Sequence, residues 1–164
     1  MRLKLIEKSV LDETSKKAAT SERLRMNHNF HELSDNLQRM LNAIEPDSYV
    51  RPHRHLNPPK VEVFLMLRGR GAIFLFDDDG KIIDSAILEP GGRTPGVEIA
   101  PGQIHTIVSL EKGTIIFEVK DGPYIAVTDK DFASFAPAPE ETLAAKEYLK
   151  GLKDHLLNKS QSKK

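Results

Sequence analysis

Between about residue 23 and residue 128 the chain is a succession of short apolar runs broken by clusters of proline, glycine and aspartate, and this most narrows the folds open to it. Runs of five to eight residues rich in Val, Ile, Phe and Leu suit strands; the breaks between them suit turns. The expected strands are Glu62–Arg68, Ala72–Phe76, Lys81–Leu88, Gln103–Leu110, Thr114–Lys120 and Tyr124–Val127. The breaks are Gly69–Gly71, Asp77–Gly80, Pro90–Gly92, Glu111–Gly113 and Asp121–Pro123. Asp79-Gly80 between two apolar runs is a strong hairpin signal. Leu37–Ile44 is ambiguous by period, and its place before Pro46 and an extended stretch favours a strand. The whole reads as an antiparallel β sandwich or barrel.

Helical patterns flank this region. Residues 8–20 are polar and helix-tolerant. After Pro137 and Pro139, Glu140–Leu157 places Ala145, Leu149, Leu152 and Leu156 on one face, with glutamates early and lysines late, as the helix dipole prefers. A chain of 164 residues is long enough for one domain with a real core. The expected division is an N-terminal helical and extended segment (1–45), a β core (about 46–128) and a C-terminal helix (about 140–157).

Composition enters by exclusion. With 24 acidic and 24 basic residues the formal charge is zero, so no whole-protein field favours nucleic acid or a membrane surface. No apolar run is long enough to span a bilayer and MRLKLIEKSV lacks a signal-peptide core, so a cytoplasmic protein is expected. With no cysteine there is no disulfide, no thiolate nucleophile and no cysteinyl zinc site. Any metal must be held by imidazole, carboxylate or backbone oxygen.

RPHRHLNPPKVEVF is the stretch with chemistry in it. In a strand, residues i and i+2 share a face, so His53 and His55 lie side by side, about 7 Å apart along the backbone. A loop with two adjacent prolines, which fix φ and reduce the entropy lost on ordering, delivers Glu62 at the head of the next strand. Phe64 and Met66 share the Glu62 face. Two imidazoles and a carboxylate are the facial set of an open transition-metal site. A fourth ligand, His105, follows the Pro101-Gly102 turn. Tyr49 and Arg51 share the parity of His53, and Gln103 that of His105, making these three the candidate catalytic groups. Arg51, Phe64, Met66 and His31 are candidate substrate contacts, although for His28 and His31 a satisfied structural histidine is the stronger reading. His155, late on the helix, is expected to face solvent. Gly69-Arg-Gly71 is read as a turn and Asp77–Gly80 as a hairpin tip rather than a calcium loop.

The pattern His53-x-His55, six residues, Glu62, six residues, Gly69 resembles the first cupin motif, and Pro101-Gly102-Gln-Ile-His105 the second. The first opens with Asp47 instead of glycine; in the second Pro and Gly are adjacent and Ser109 replaces the usual Asn. More specifically, Arg25–His31, Gln38-Arg39 with Asn42-Ala43, and Pro46–His55 look like the WbuC family of cupin-fold metalloproteins, over about residues 5–139. The resemblance implies a double-stranded β-helix (the cupin jelly roll), mainly β with a helix at each end. It further implies one divalent transition metal inside the barrel (iron, manganese, nickel, zinc or copper) and a setting in bacterial polysaccharide gene clusters. Two functions stand open: a metal-dependent enzyme, such as an isomerase, epimerase or dioxygenase, acting on a small polar molecule such as a sugar or nucleotide-sugar; or a non-catalytic binding or sensing module. The outward run Val63, Leu65 and Leu67 is also apolar, so a terminal helix or a second subunit is expected to cover it, and cupins are often homodimers.

Overall fold

The computed structural model describes residues 3–126 and 129–161. Among the described residues, an N-terminal helix, α1 (Lys8–Thr20), precedes ten strands, and α2 (Thr142–Gln161) follows them. One five-stranded sheet has the order β1 (Arg25–Asn29), β2 (Leu37–Ile44), β9 (Thr114–Asp121), β4 (Glu62–Arg68), β7 (Gly96–Ile99). The other has the order β10 (Asp131–Phe132), β3 (His53–Arg54), β8 (Ile104–Ser109), β5 (Gly71–Phe76), β6 (Ile82–Leu88). Every strand pairing is antiparallel. The interleaved strand order, with chain neighbours such as β4 and β5 in opposite sheets, is that of a jelly roll.

Alternation along the strands builds three apolar layers. Between the sheets, Ile44, Phe64, Met66, Ile73, Leu88, Ile99, Ile107 and Ile116 form the barrel's own core. On the outer face of the second sheet, Ala72, Phe74, Phe76, Ile104 and Val108 receive Leu149, Leu152 and Leu156 of α2, the stripe expected from their spacing. On the outer face of the first, Leu41, Ala43 and Ile115 are capped by Ala18 of α1. Arg68 reaches back from β4 to Asp12 and to the Leu11 carbonyl, fastening α1. The β5–β6 hairpin turns at Gly80 as expected: its φ of 86° is open to glycine, and Phe135 packs where a side chain would go.

Four expectations are corrected. The run Tyr124–Val127 is not a strand over 124–126, and Val127 lies outside the described residues. Pro123 has no N–H to give a ladder, Gly122 lies against Asp35 and Asn36, and Tyr124 N–H donates to the Leu33 carbonyl, so the chain follows the 31–36 loop instead of a sheet. Three further strands were not expected: β1 and β10 carry no apolar alternation, and β7, with only Val97 and Ile99, is too short for its alternation to mark it. His155 does not face solvent; it is half-buried, its ring edge-on to Phe74 with centroids 6.1 Å apart. Finally, neither terminal helix covers Val63, Leu65 and Leu67: α1 lies over β1, β2 and β9 and α2 over the other sheet, leaving Leu65 44% and Leu67 38% exposed.

Candidate metal centre

The three histidines come from one sheet and the glutamate from the other. β3 pairs with β8 so that His53 stands directly opposite His105, and cross-strand neighbours on one face touch. His55 follows one residue beyond β3, and the prolyl loop carries the chain across to Glu62 at the start of β4. Ring centroids are 4.7 Å apart for His53 and His105, 5.3 Å for His53 and His55, and 6.2 Å for His55 and His105. The three imidazoles offer nitrogen atoms within 4.8 Å of one another. Glu62 Oε1 lies 3.3 Å from His55 Nε2, and Oε2 2.9 Å from His105 Nε2. All four side chains are buried. The structure therefore brings together the four residues singled out in the sequence.

Their hydrogen bonds define which nitrogen is free. His53 Nδ1 is 2.9 Å from the Arg51 carbonyl and His105 Nδ1 2.9 Å from the Gln103 carbonyl; His55 Nδ1 meets the Asp129 carbonyl. A carbonyl can only accept, so each Nδ1 carries hydrogen, and in the neutral ring Nε2 is left with a lone pair. Among the described residues, Nε2 of His55 and of His105 has no hydrogen-bond partner, yet both lie against a carboxylate. Nitrogen atoms this close to a carboxylate need a proton or a metal cation between them. Burial, then the positive charge of Lys130 and His105, holds His53 well below the ordinary histidine range, so its ring is neutral. Burial alone would raise the Glu62 carboxyl, but N–H donation and positive charge from His105 and His55 outweigh this and hold it well below the usual carboxylate range; a bound cation would take the place of those protons. Three imidazoles and an ionised carboxylate gathered at one point suit a divalent transition metal.

Behind this set is a buried ion network that the sequence reading missed. Asp129, whose carbonyl orients His55, receives Lys60 at 2.9 Å and Lys120 at 3.2 Å on its carboxylate. Glu118, on the same inward face of β9, accepts from the Asn42 amide and lies 3.7 Å from Lys120. Burial is the largest influence on Glu118 and raises its carboxyl, and the nearby Glu62 charge adds to it. The i, i+2 spacing of Glu118 and Lys120 was the available signal, but in sequence it looks like any solvated strand face.

A cavity of about 2010 Å³ opens onto His53, His105 and Glu62. Tyr49, Arg51, Phe64 and His31 line it. Tyr49 donates its hydroxyl to the Pro137 carbonyl at 2.9 Å, and burial pushes its phenol well above the usual range. Arg51 donates to the Ala133 carbonyl at 3.1 Å and stacks 5.4 Å above the Phe132 ring. Phe64 lies 6.3 Å from the His105 ring, while Met66 is deeper in the apolar core. His31 Nδ1 sits within reach of both the N–H and the carbonyl of Arg39, as a structural histidine would. The side chain of Gln103 departs from expectation: its amide donates to the carbonyls of Phe76 and Ile104, and only its backbone carbonyl serves the histidines. Its position at a turn, just before β8, frees it from strand parity.

Comparison with solved structures agrees with this architecture. The capsular polysaccharide assembling protein CapF of Staphylococcus aureus is 22% identical, over 69% of this chain and 30% of that one, with a TM-score of 0.57. Oxalate decarboxylase of Bacillus subtilis is 21% identical, over 77% of this chain and 34% of that one, with a TM-score of 0.52. A structure from a study of the DMSP lyases RdDddP and RnDddQII is 14% identical, over 68% of this chain and 53% of that one, with a TM-score of 0.51. The chain thus spans about a third of the length of CapF and of oxalate decarboxylase. These likenesses show the fold: a cupin jelly roll, mainly β, with a helix at each end. No curated protein matches the sequence. Residues 6–88, from α1 through β6, match the family described as a domain of unknown function, DUF6016, and the chain belongs to that family.

Proposed function

We propose that this cupin binds one divalent transition metal through His53, His55, His105 and Glu62. We further propose that it is a metal-dependent enzyme acting on a small polar molecule, such as a sugar or nucleotide-sugar, in polysaccharide biosynthesis. One observation carries the metal: three buried imidazoles offer nitrogen atoms within 4.8 Å of one another, and the buried Glu62 carboxylate lies 3.3 Å from His55 Nε2 and 2.9 Å from His105 Nε2. The substrate class is supported by the polar side chains along one wall of the cavity, by the likeness to a capsular polysaccharide assembling protein, and by the WbuC resemblance of the segments around Arg25–His31 and Pro46–His55.

When bound, such a metal supplies Lewis-acid polarisation of a carbonyl or hydroxyl oxygen, chemistry shared by isomerases, epimerases and dioxygenases. The chain's own residues do the rest. The carbonyls of Arg51, Gln103 and Asp129 hold the imidazole tautomers. Phe64 walls off water beside His105. Arg51, with one buried guanidinium nitrogen unpartnered among the described residues, is placed to orient an acidic or hydroxyl group at the mouth. Tyr49 can move a proton only by giving up its bond to Pro137.

That engaged phenol favours a second reading, in which the site binds a ligand without transforming it. Sugars and sugar nucleotides incubated with graded metal loadings separate the two: product that scales with metal content supports the enzyme, and saturable binding without product supports the module. The face of exposed Leu65 and Leu67 with half-buried Val63 suits a homodimer, for which the expected solution mass is twice 18.4 kDa. Among the described residues no helix is long and apolar enough to cross a membrane.

A further inference from the structure

The inward face of the first sheet continues away from Glu62 as a polar wall. Strand register puts Lys120 directly opposite Glu62, and Gln38 directly opposite Lys120. One pleat further on, Glu118 is followed by Met40 and Asn29, and beyond that Asn42 pairs with Asn27 on β1. With strands about 4.8 Å apart, Gln38 stands about 10 Å from Glu62 across the sheet, roughly the reach of one sugar ring and its substituents. These residues line the same cavity as His53 and His105.

Its chemistry is unusual for a barrel interior. Four carboxamides, Asn27, Asn29, Gln38 and Asn42, each bring donors and an acceptor. The ammonium on these strands, Lys120, is already held by Glu118 and Asp129, and Lys130, which lines the same cavity from outside the sheet, faces the same two carboxylates. Gln38 is only 2% exposed, and among the described residues its amide nitrogen has no hydrogen-bond partner. A buried donor without a partner destabilises the fold, whereas an apolar residue of the same shape would not. Gln38 therefore sits where a ligand acceptor completes it. A phosphate or other anion would call for free cations; a wall of neutral groups that both donate and accept suits vicinal hydroxyls.

We propose that this wall is a subsite for a neutral polyhydroxylated ring, a sugar, with Gln38 as its specificity-determining residue. The inference rests on the sugar reading above and gives it a location independent of the metal.

The test uses the full chain after chelation, so that failure of the metal reading is not confused with failure of this one. Saturation-transfer NMR is run with D-glucose, D-galactose, D-mannose, L-rhamnose, L-fucose, N-acetyl-D-glucosamine and N-acetyl-D-galactosamine, with inorganic phosphate as the anionic control. At least one sugar is expected to bind saturably, and Gln38→Leu is expected to weaken it by about tenfold or more, since a hydroxyl then loses its donor. The same variant should melt at the wild-type temperature or above it, because the unpaired donor is gone. If Gln38→Leu does not fold, Asn27→Ala combined with Asn29→Ala on the exposed edge strand carries the test, with the same loss expected. Binding of none of the sugars, preference for phosphate, or undiminished binding by the variant that folds would overturn the proposal.

Discussion

The two ends of the barrel interior are built by the same strands and do opposite things. Read along their inward positions, β2 passes from Gln38 through Met40 and Asn42 to Ile44, β4 from Glu62 to Phe64 and Met66, β9 from Lys120 and Glu118 to Ile116, and β8 from His105 to Ile107. One end is therefore a closed apolar plug, and the other gathers imidazole, carboxylate, ammonium and amide within one cavity. Stability resides in the plug, together with the layers under α1 and α2. The polar end contributes little beyond its own satisfied hydrogen bonds, and its buried charges are costly unless paired. Side chains there that lack partners are accordingly the ones whose presence is explained by a ligand.

Substitutions on either side sharpen this contrast. The largest loss of stability is expected at the plug: Leu88→Ala, at a fully buried position, should cost about 2–5 kcal/mol in denaturant unfolding. His53→Ala and Glu62→Ala should instead leave a cooperative unfolding transition while metal occupancy falls sharply, and His155→Ala should keep its metal but lose some stability through its contact with Phe74. Asp129→Asn keeps the carbonyl that orients His55 but unbalances Lys60 and Lys120. Metal affinity is expected to drop by roughly 10–100-fold, the usual effect of altering groups that support metal ligands, measurable by competition with a chromophoric chelator.

The smallest effect lies outside both ends. Asp12 joins Lys8 to Arg68, and hydrogen bonds from these two, Lys8 first, lower its carboxyl below the ordinary value. A depressed native value means that this stabilisation is present above the carboxylate's unfolded pKa and disappears as pH falls through the native one. Urea midpoints should therefore differ slightly between wild type and Asp12→Asn at neutral pH and low salt, and converge in acid or at high salt.

The same contrast marks what the sequence could and could not reveal. The plug and the helix stripe were legible because burial writes a period into the chain: Ala145, Leu149, Leu152 and Leu156 at helical spacing, and Glu62–Arg68 with its bounds intact. The four candidate ligands were legible because His53 and His55 share strand parity and prolines flank the loop and turn that lead to Glu62 and His105. β1 was not, since Arg25–Asn29 faces a cavity on one side and lies at a sheet edge, so no apolar alternation is required of it. Lys60, Glu118, Lys120 and Asp129 were missed for a related reason: charged residues buried together are indistinguishable in sequence from charged residues in water, and only tertiary pairing sets them apart. Gln103 was misplaced because a turn residue owes nothing to the parity of the strand it precedes.

The central claim is most directly tested by elemental analysis of protein purified anaerobically and then reconstituted in turn with iron, manganese, nickel, zinc and copper. The account predicts about one tightly held metal per chain in the wild type for at least one of these ions, and its loss in His105→Ala and Glu62→Ala. A wild-type protein that retains none of the five after desalting, or variants that hold as much as the wild type, would contradict it.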